Sequence, residues 1–325
     1  MEAATEGITG EATTGIMEDA EERRTMNASV LAGKKIGLFG KGGSGKSTVT
    51  VLLARTLADR GYEPVVLDAD STNVGLAQAL GVERTPALLM EHLGGLVFSG
   101  GTLTCPVDDP TPLPQPELDL KGLPGEYLGE TESGIRLLLG GKMGDLGPGA
   151  GCDGPIAKIA RDLQVTENGG EPPLLVDFKA GFEDSARGVL TGLDLAVVVV
   201  DPTTAAVGMA VHLKKMVERI RSGEPPATAH FESPEMAQVA QDVFRGAKVK
   251  GVVAVLNRVP DEETEAHLRK RLEEEDGPEV VGVIPEDRAL QSRWLKGEMV
   301  RLEEHQEALR DLVVNLEESP FLRSD

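Results

Sequence analysis

Cysteine, positive charge and long hydrophobic runs are all scarce in this sequence of 325 residues. Two cysteines cannot form a disulfide framework and no signal peptide is visible, so we expect reduced thiols in a cytoplasmic protein. Lys and Arg number 33 against 54 Asp and Glu, a net charge of −21, which excludes a general field attracting nucleic acid. No apolar run reaches the ~18 residues of a membrane span. We therefore expect neither a nucleic-acid nor a membrane partner.

The chain divides into an acidic leader and a long alternating region. Residues 1–29 carry seven acidic residues against two arginines and lack periodicity, which predicts a disordered leader. Residues 30–325 are predicted to form a single domain. The alternation of apolar and amphipathic segments is lost around residues 81–134. Five prolines lie from Pro106 to Pro116, so we expect an irregular insertion there.

Short apolar runs alternate with amphipathic segments along the rest of the chain, which indicates strands buried between helix layers. The predicted strands are Ile36–Phe39, Pro64–Leu67, Ile135–Leu139, Leu174–Val176, Leu195–Val200, Gly251–Leu256 and Val280–Ile284. The predicted helices are Ser47–Arg60, Pro155–Leu163, Ala205–Ile220, Pro234–Phe244, Glu262–Glu275 and Arg301–Leu316. The last has an acidic polar face, which favours docking on its own sheet over membrane binding. This alternation predicts an α/β fold with a doubly wound, mostly parallel sheet.

Residues 40–48 read GKGGSGKST and fit the pattern G-x-x-x-x-G-K-[ST] between a predicted strand and a predicted helix. Glycines let successive backbone N–H groups turn toward an anion, and the helix N-terminus adds partial positive charge. Lys46 should reach the β- and γ-phosphates, and the Ser47 hydroxyl should bind Mg²⁺. The predicted phosphate-binding residues are Gly40, Gly42, Gly43, Ser44, Gly45, Lys46, Ser47 and Thr48. The alternative is a glycine-rich turn that binds no nucleotide.

A second lysine, Lys41, directly follows the first glycine and gives KGGSGKS. This loop resembles the deviant Walker A, or SIMIBI, class of P-loop NTPases, which includes MinD, ParA and the nitrogenase iron protein. The resemblance implies a P-loop NTPase fold and a homodimer that encloses two nucleotides, with Lys41 reaching the partner's phosphates. Such a lysine would stabilise transition-state charge as an arginine finger does. An exposed surface lysine is the alternative.

Acidic residues follow two predicted strands, where ligands of α/β sheets bind. Asp68 and Asp70 resemble the switch I motif of the same class, with Asp70 positioning the attacking water and Asp68 supporting the magnesium shell or the loop. The class usually has Pro after the second Asp and Asn four residues on. Ser71 and Asn73 break that spacing, so the sequence assigns Asn73 no role.

Asp177 ends an apolar strand, as does the Walker B carboxylate that holds Mg²⁺ through water. Residues 177–188 fit D-x-x-A-G-x-E-x-x-x-R-G, in which Gly181 would bring a backbone N–H to the γ-phosphate. Glu183 and Arg187 fit this pattern and equally fit a surface i,i+4 pair. Lys179 has no sequence-based explanation.

Two later strands end in residues that the resemblance places at the nucleotide base. Asn257 would supply an amide to adenine, and an amide offers both a donor and an acceptor. Pro285 would line the edge of the base. The acidic residue typical of guanine readers is replaced by Pro260, so ATP is the expected nucleotide, with Mg²⁺ as its cofactor.

Residues 123–127 (LPGEY) and 149–155 (GAGCDGP) resemble the CooC-type carbon monoxide dehydrogenase maturation ATPases. The C-x-C metal motif of that family is reduced here to Cys152. A thiolate suits Ni²⁺ or Zn²⁺, but one per chain needs further ligands, for which Asp153 is a candidate, and dimer-interface chemistry or packing are alternative roles for Cys152. A [4Fe–4S] reductase is disfavoured because residues 178–205 lack a second cluster cysteine. Cys105 is predicted to be a buried free thiol.

The resemblance implies a Mg-ATP-dependent dimeric ATPase that acts as a nucleotide switch in nickel-centre assembly for an unknown client metalloprotein. The alternative is a spatial organiser of MinD or ParA type, in which ATP hydrolysis acts as a timer. That role needs a basic surface for DNA or a basic amphipathic tail for membrane, and the sequence shows neither.

Overall fold

A computed structural model describes residues 30–94, 110–141, 153–181, 188–228, 233–301 and 303–323 of the chain. Its strands are β1 (Lys35–Gly40), β2 (Val65–Ala69), β3 (Glu117–Asp119), β4 (Gly129–Glu130), β5 (Arg136–Leu139), β6 (Gln164–Thr166), β7 (Leu174–Phe178), β8 (Leu195–Val200), β9 (Gly251–Val259) and β10 (Glu279–Pro285). Its α-helices are α1 (Lys46–Asp59), α2 (Leu76–Leu80), α3 (Leu89–His92), α4 (Gly154–Asp162), α5 (Thr204–Arg221), α6 (Pro234–Arg245), α7 (Glu262–Glu274), α8 (Arg288–Lys296), α9 (Gln306–Glu318) and α10 (Pro320–Arg323). No helix among these described residues is long and apolar enough to cross a membrane.

The central sheet has eight strands in the order β10-β9-β8-β1-β7-β2-β5-β4. All neighbours run parallel except β4 and β5, which pair antiparallel at one edge. A separate parallel pair joins β3 to β6. The strand order reverses at β1. Strands β7, β2, β5 and β4 lie on one side of β1, and β8, β9 and β10 lie on the other. Ligands of open α/β sheets bind at such a switch point.

Both faces of the sheet are buried, as the uninterrupted apolar strands predict. In β8, Val197 and Val199 pack into one core cluster with residues of α1 and α9, while Val198 and Val200 pack into another with residues of α4 and α5. Alternate strand residues point to opposite faces, so each central strand contributes to two cores. The predicted doubly wound, mostly parallel α/β sheet is confirmed.

Local signals explain where several helices begin. The Ser233 hydroxyl accepts a hydrogen bond from the N–H of Met236 at 3.2 Å, and Pro234 occupies the first turn of α6. Thr203 and Asp261 cap α5 and α7 in the same way. Each cap satisfies a backbone N–H that has no acceptor within its own helix, which defines where the helix begins.

Some boundaries differ from the sequence-based expectation. The final long helix was predicted from Arg301, but α9 begins at Gln306 because His305 has a left-handed backbone with φ 60°. Leu309, Leu312 and Leu316 of α9 are buried, which confirms that it docks on its own protein. The insertion around 81–134 contains α3, β3 and β4, with residues 95–109 outside the described part.

Candidate functional site

The loop between β1 and α1 has the backbone of an anion-binding turn. Gly43 and Gly45 have φ values of +82° and +91°, which side chains rarely tolerate. A Cβ at Gly45 would also collide with the amide nitrogen of Asn257. The N–H of Ser44 donates to the carbonyl of Lys41 at 3.1 Å and closes the turn. The motif therefore requires glycine at position 45 for two separate reasons.

A cavity of about 540 Å³ opens beside this loop at the carboxyl ends of the central strands. Its lining residues are Gly42, Gly43, Gly45, Lys46, Ser47, Thr48, Asp70, Thr72, Asn73, Ala180, Asn257, Arg258, Pro285, Asp287, Leu290, Gln291 and Trp294. Small-molecule sites typically measure about 300–1,000 Å³, so the cavity is large enough for a nucleotide. The structure thus brings the predicted loop, both switch segments and the predicted base-binding strands to one place.

Ser47 lines the cavity and is hydrogen-bonded to Asp177, which lies beneath it. The Ser47 hydroxyl donates to Asp177 Oδ2 at 2.7 Å, and the Thr50 hydroxyl donates to Oδ1 at 3.2 Å. Asp177 is fully buried. Mg²⁺ prefers oxygen ligands, so this hydroxyl and carboxylate fit the predicted magnesium site.

Burial dominates the electrostatics of this pair. It raises the pKa of Asp177 from 3.8 to about 6, against the stabilising Ser47 hydrogen bond and the charge of Lys46. Burial also lowers the pKa of Lys46, an effect that the charges of Asp177 and Asp70 oppose. At neutral pH the buried, ionised carboxylate of Asp177 therefore costs the nucleotide-free protein some of its stability.

This cost predicts that Asp177→Asn stabilises the nucleotide-free protein. A carboxyl whose pKa is raised on folding loses stability as pH increases, here between about pH 4 and pH 6, and the loss is complete above pH 6. We expect the free energy of unfolding of Asp177→Asn to exceed that of the wild type by roughly 3 kcal/mol at pH 7.5 and by only about 1 kcal/mol at pH 4.5. Urea unfolding in EDTA at both pH values measures this difference. An equal difference at both pH values would contradict it.

Asp70 lines the cavity, whereas Asp68 is buried behind it. Asp68 Oδ1 accepts the backbone N–H of Asp70 at 3.0 Å, so in this structure Asp68 holds the loop. Asp70 Oδ1 accepts both the N–H and the hydroxyl of Thr72. Of the two roles that the sequence left open for Asp68, these contacts favour support of the loop.

Asn73, to which the sequence assigns no role, contacts the predicted magnesium ligand. Its amide Nδ2 donates to Ser47 Oγ at 2.9 Å, and its Oδ1 accepts the N–H of Gly75. Ser47 is thus held by Asn73 from one side and by Asp177 from the other. The switch I segment is tied to the phosphate loop through this single hydroxyl.

The segment after β7 also returns to the loop. The N–H of Gly181 donates to the carbonyl of Gly40 at 3.3 Å, and its φ of +102° favours glycine. Lys179, unexplained by the sequence, forms an ion pair at 2.8 Å with Asp153, immediately before α4. Asp153, suggested as a metal ligand, is therefore engaged by Lys179. The predicted Glu183 and Arg187 lie outside the described residues.

The other end of the cavity is formed by β9, β10 and α8. Pro285 lines it as predicted. Asn257 also lines it, but its Nδ2 donates to the carbonyl of Ser44 at 2.7 Å. The indole N–H of Trp294 donates to the Thr48 hydroxyl at 2.9 Å. Sequence reasoning missed Trp294 and Arg258 because their partners are more than 200 positions away and no local pattern marks them.

The remaining predicted residues are Lys41, Cys105 and Cys152. Lys41 is half-buried and is not among the residues that line the cavity of its own chain. Cys152 and Cys105 lie outside the described residues. Among the described residues, no group of three or more His, Cys, Asp or Glu side chains is placed to hold a metal ion.

Comparisons with known proteins agree with this geometry. The family model described as the CobQ/CobB/MinD/ParA nucleotide binding domain matches residues 38–300. An uncharacterised ATP-binding protein of Methanocaldococcus jannaschii is 31% identical over 272 residues, covering 83% of this chain and 94% of that protein. The carbon monoxide dehydrogenase accessory protein CooC of Rhodospirillum rubrum is 33% identical over 188 residues, 55% of this chain and 67% of CooC.

Solved structures give the same fold. The MinD cell division protein of Aquifex aeolicus aligns over 88% of this chain and 97% of its own, with a TM-score of 0.54 and 18% sequence identity. At that identity the likeness concerns the fold alone. Together, the loop, the Ser47–Asp177 pair and the match over residues 38–300 show that the chain belongs to the CobQ/CobB/MinD/ParA family and is a P-loop ATPase.

Proposed function

We propose that this ATPase is a nucleotide-switched accessory factor for metal-centre assembly, with nickel as its cargo and an unidentified metalloprotein as its client. The observation that carries the ATP-driven part is the buried Ser47–Asp177 pair at the foot of the phosphate loop. The 33% identity to the accessory protein CooC supports the assembly role.

In this proposal each cavity residue has a definite task. Lys46 binds the β- and γ-phosphates, and Ser47 holds Mg²⁺ with Asp177 behind it. Mg²⁺, when bound, offsets the negative charge of the phosphates. Asp70 orients the attacking water from the cavity wall. The N–H of Gly181 donates to the carbonyl of Gly40 in this structure and would turn to the γ-phosphate when ATP is bound, which makes it sensitive to hydrolysis.

A second copy of the chain completes the site. Lys46 lines the cavity of its own chain and Lys41 does not, as expected of a lysine that serves a neighbouring molecule. Two chains facing each other across two nucleotides would each supply Lys41 to the other. ATP binding then favours the dimer, and hydrolysis releases it.

The cargo site in this proposal uses the Cys152 thiolate of each chain, which gives two soft ligands across the dimer for Ni²⁺ or Zn²⁺. In the sequence, Asp153 of the Lys179–Asp153 ion pair is next to Cys152, and Lys179 is two residues after Asp177. The pair engages Asp153 Oδ2, so ligation of the metal through that oxygen requires the pair to open. The segment after β7 is therefore linked to the proposed cargo site.

Metal analysis tests the cargo part of the proposal. Purified wild type and Cys105→Ala, loaded with Ni²⁺ or Zn²⁺ in the presence of MgATP, should retain metal after desalting, because both keep Cys152. Cys152→Ala should retain none. Metal retention by Cys152→Ala equal to that of the wild type would contradict the proposal.

The MinD- or ParA-type positioning role makes a different prediction. It requires ATP-dependent pelleting of the protein with liposomes or with DNA. We expect no such pelleting from this acidic chain, whose charge of −21 repels both surfaces.

A further inference from the structure

Two adjacent residues at the end of β9 hold two adjacent carbonyl groups of the phosphate loop. Asn257 Nδ2 donates to the carbonyl of Ser44 at 2.7 Å, and Arg258 Nη1 donates to the carbonyl of Gly43 at 2.8 Å. Asn257 is 2% exposed, whereas Arg258 is exposed at the cavity rim. We call this arrangement the carbonyl clamp.

An irregularity in β9 makes the carbonyl clamp possible. Successive side chains of a strand point to opposite faces, so Asn257 and Arg258 would normally diverge. Here Asn257 pairs with Ile284 and Val259 with Pro285, which leaves Arg258 as an extra residue in the register. Its φ of +59° is the left-handed conformation found in bulges. The bulge directs both side chains toward the same loop.

The carbonyl clamp orients the peptide groups of the loop. In a trans peptide the carbonyl and the following N–H point in opposite directions. Because Asn257 holds the carbonyl of Ser44, the N–H of Gly45 is directed away from β9. The peptide between Gly43 and Ser44 is held at both ends, by Arg258 at its carbonyl and by the Lys41 carbonyl at its N–H. The clamp thus keeps two carbonyl dipoles away from a bound anion.

Gly45 shows that the contact is tightly built. A Cβ there would collide with Asn257 Nδ2, and the Arg258 Nε lies 4.0 Å from the same position. The glycine leaves room for the amide to reach the loop. The Nδ2 donor of Asn257 is therefore used inside the protein, at the carbonyl of Ser44.

We infer that Asn257 and Arg258 are positioning residues that fix the phosphate loop in its anion-binding form, and that they raise affinity for the triphosphate whichever base it carries. This inference rests on the assignment of the loop as the nucleotide site. It replaces the expectation that Asn257 serves chiefly to recognise adenine.

Calorimetric titration of the full chain with MgATP and with magnesium tripolyphosphate tests the inference. Losing one such hydrogen bond weakens binding by about tenfold, so Asn257→Ala and Arg258→Ala should each weaken both ligands by that same factor. Arg258→Gly, which accepts the φ of +59°, should match Arg258→Ala. The control Arg269→Ala removes an exposed arginine of α7 that bonds Glu265, and should change neither affinity.

The possible results distinguish a failure of this inference from a failure of the nucleotide-site assignment. If the wild type binds neither ligand, the nucleotide site is wrong. If the wild type binds MgATP but Asn257→Ala weakens only MgATP and not tripolyphosphate, Asn257 reads the base and the inference fails. If both Arg258 variants bound both ligands as tightly as the wild type does, Arg258 would not be a positioning residue. Because Arg258 is exposed, its variants test the inference even if Asn257→Ala does not fold.

Discussion

The Lys41→Ala variant should still bind MgATP but hydrolyse it roughly 10³-fold more slowly. Lys41 does not line the cavity of its own chain, so removing it leaves the binding residues in place. Its proposed contact is with the partner's phosphates, where transition-state charge collects. The same variant should lose nucleotide-dependent dimerisation. Steady-state hydrolysis and calorimetric binding, measured on one preparation, separate these effects.

Lys34→Ala is the matched control for that experiment. Lys34 is also half-buried, but it lies at the opposite end of β1 from the phosphate loop. We expect wild-type hydrolysis from Lys34→Ala. Full hydrolysis by Lys41→Ala would show that the lysine has no role across subunits.

The Gly45→Ala variant should lose affinity for MgATP by about a hundredfold or more. A side chain at φ +91° costs about 1–2 kcal/mol, and its Cβ would displace Asn257 from the carbonyl of Ser44. Both effects disturb the loop whose N–H groups bind phosphate. Calorimetry with MgATP measures the loss, and circular dichroism checks that the protein remains folded.

Gly61→Ala separates backbone strain from the collision with Asn257. Gly61 has nearly the same φ, +90°, but no atom lies within 4 Å of its Cβ position. We expect Gly61→Ala to lower stability by about 1–2 kcal/mol and to leave MgATP affinity unchanged. Equal affinities of Gly45→Ala and Gly61→Ala would contradict the account of the loop.

Short apolar runs and the glycine-rich motif were sufficient to predict the central strands and the site at β1. The runs Leu195–Val200 and Gly251–Leu256 are short and rich in valine, which favours strands buried on both faces of a doubly wound sheet. The motif at Gly40 is equally local, since its strand, glycines and helix start are contiguous. Asp70 and Asp177 could be predicted as site residues because each follows an apolar run that predicts a strand.

Other elements had no comparable local signal. Helix α8 buries only Leu290, so its sequence lacks the apolar stripe that marks a helix. Helix α2 has five residues, too few for a periodic pattern. The contacts of Arg258 with Gly43 and of Trp294 with Thr48 join distant parts of the chain. They depend on strand register and on a bulge, which no short sequence window encodes.

Sedimentation velocity of the full chain, with Mg²⁺ and either ADP or a non-hydrolysable ATP analogue, tests the nucleotide-switched dimer most directly. We expect a monomer with ADP, a species of twice that mass with the ATP analogue, and a monomer under both conditions for Lys41→Ala. A wild type whose mass is the same with both nucleotides would contradict it.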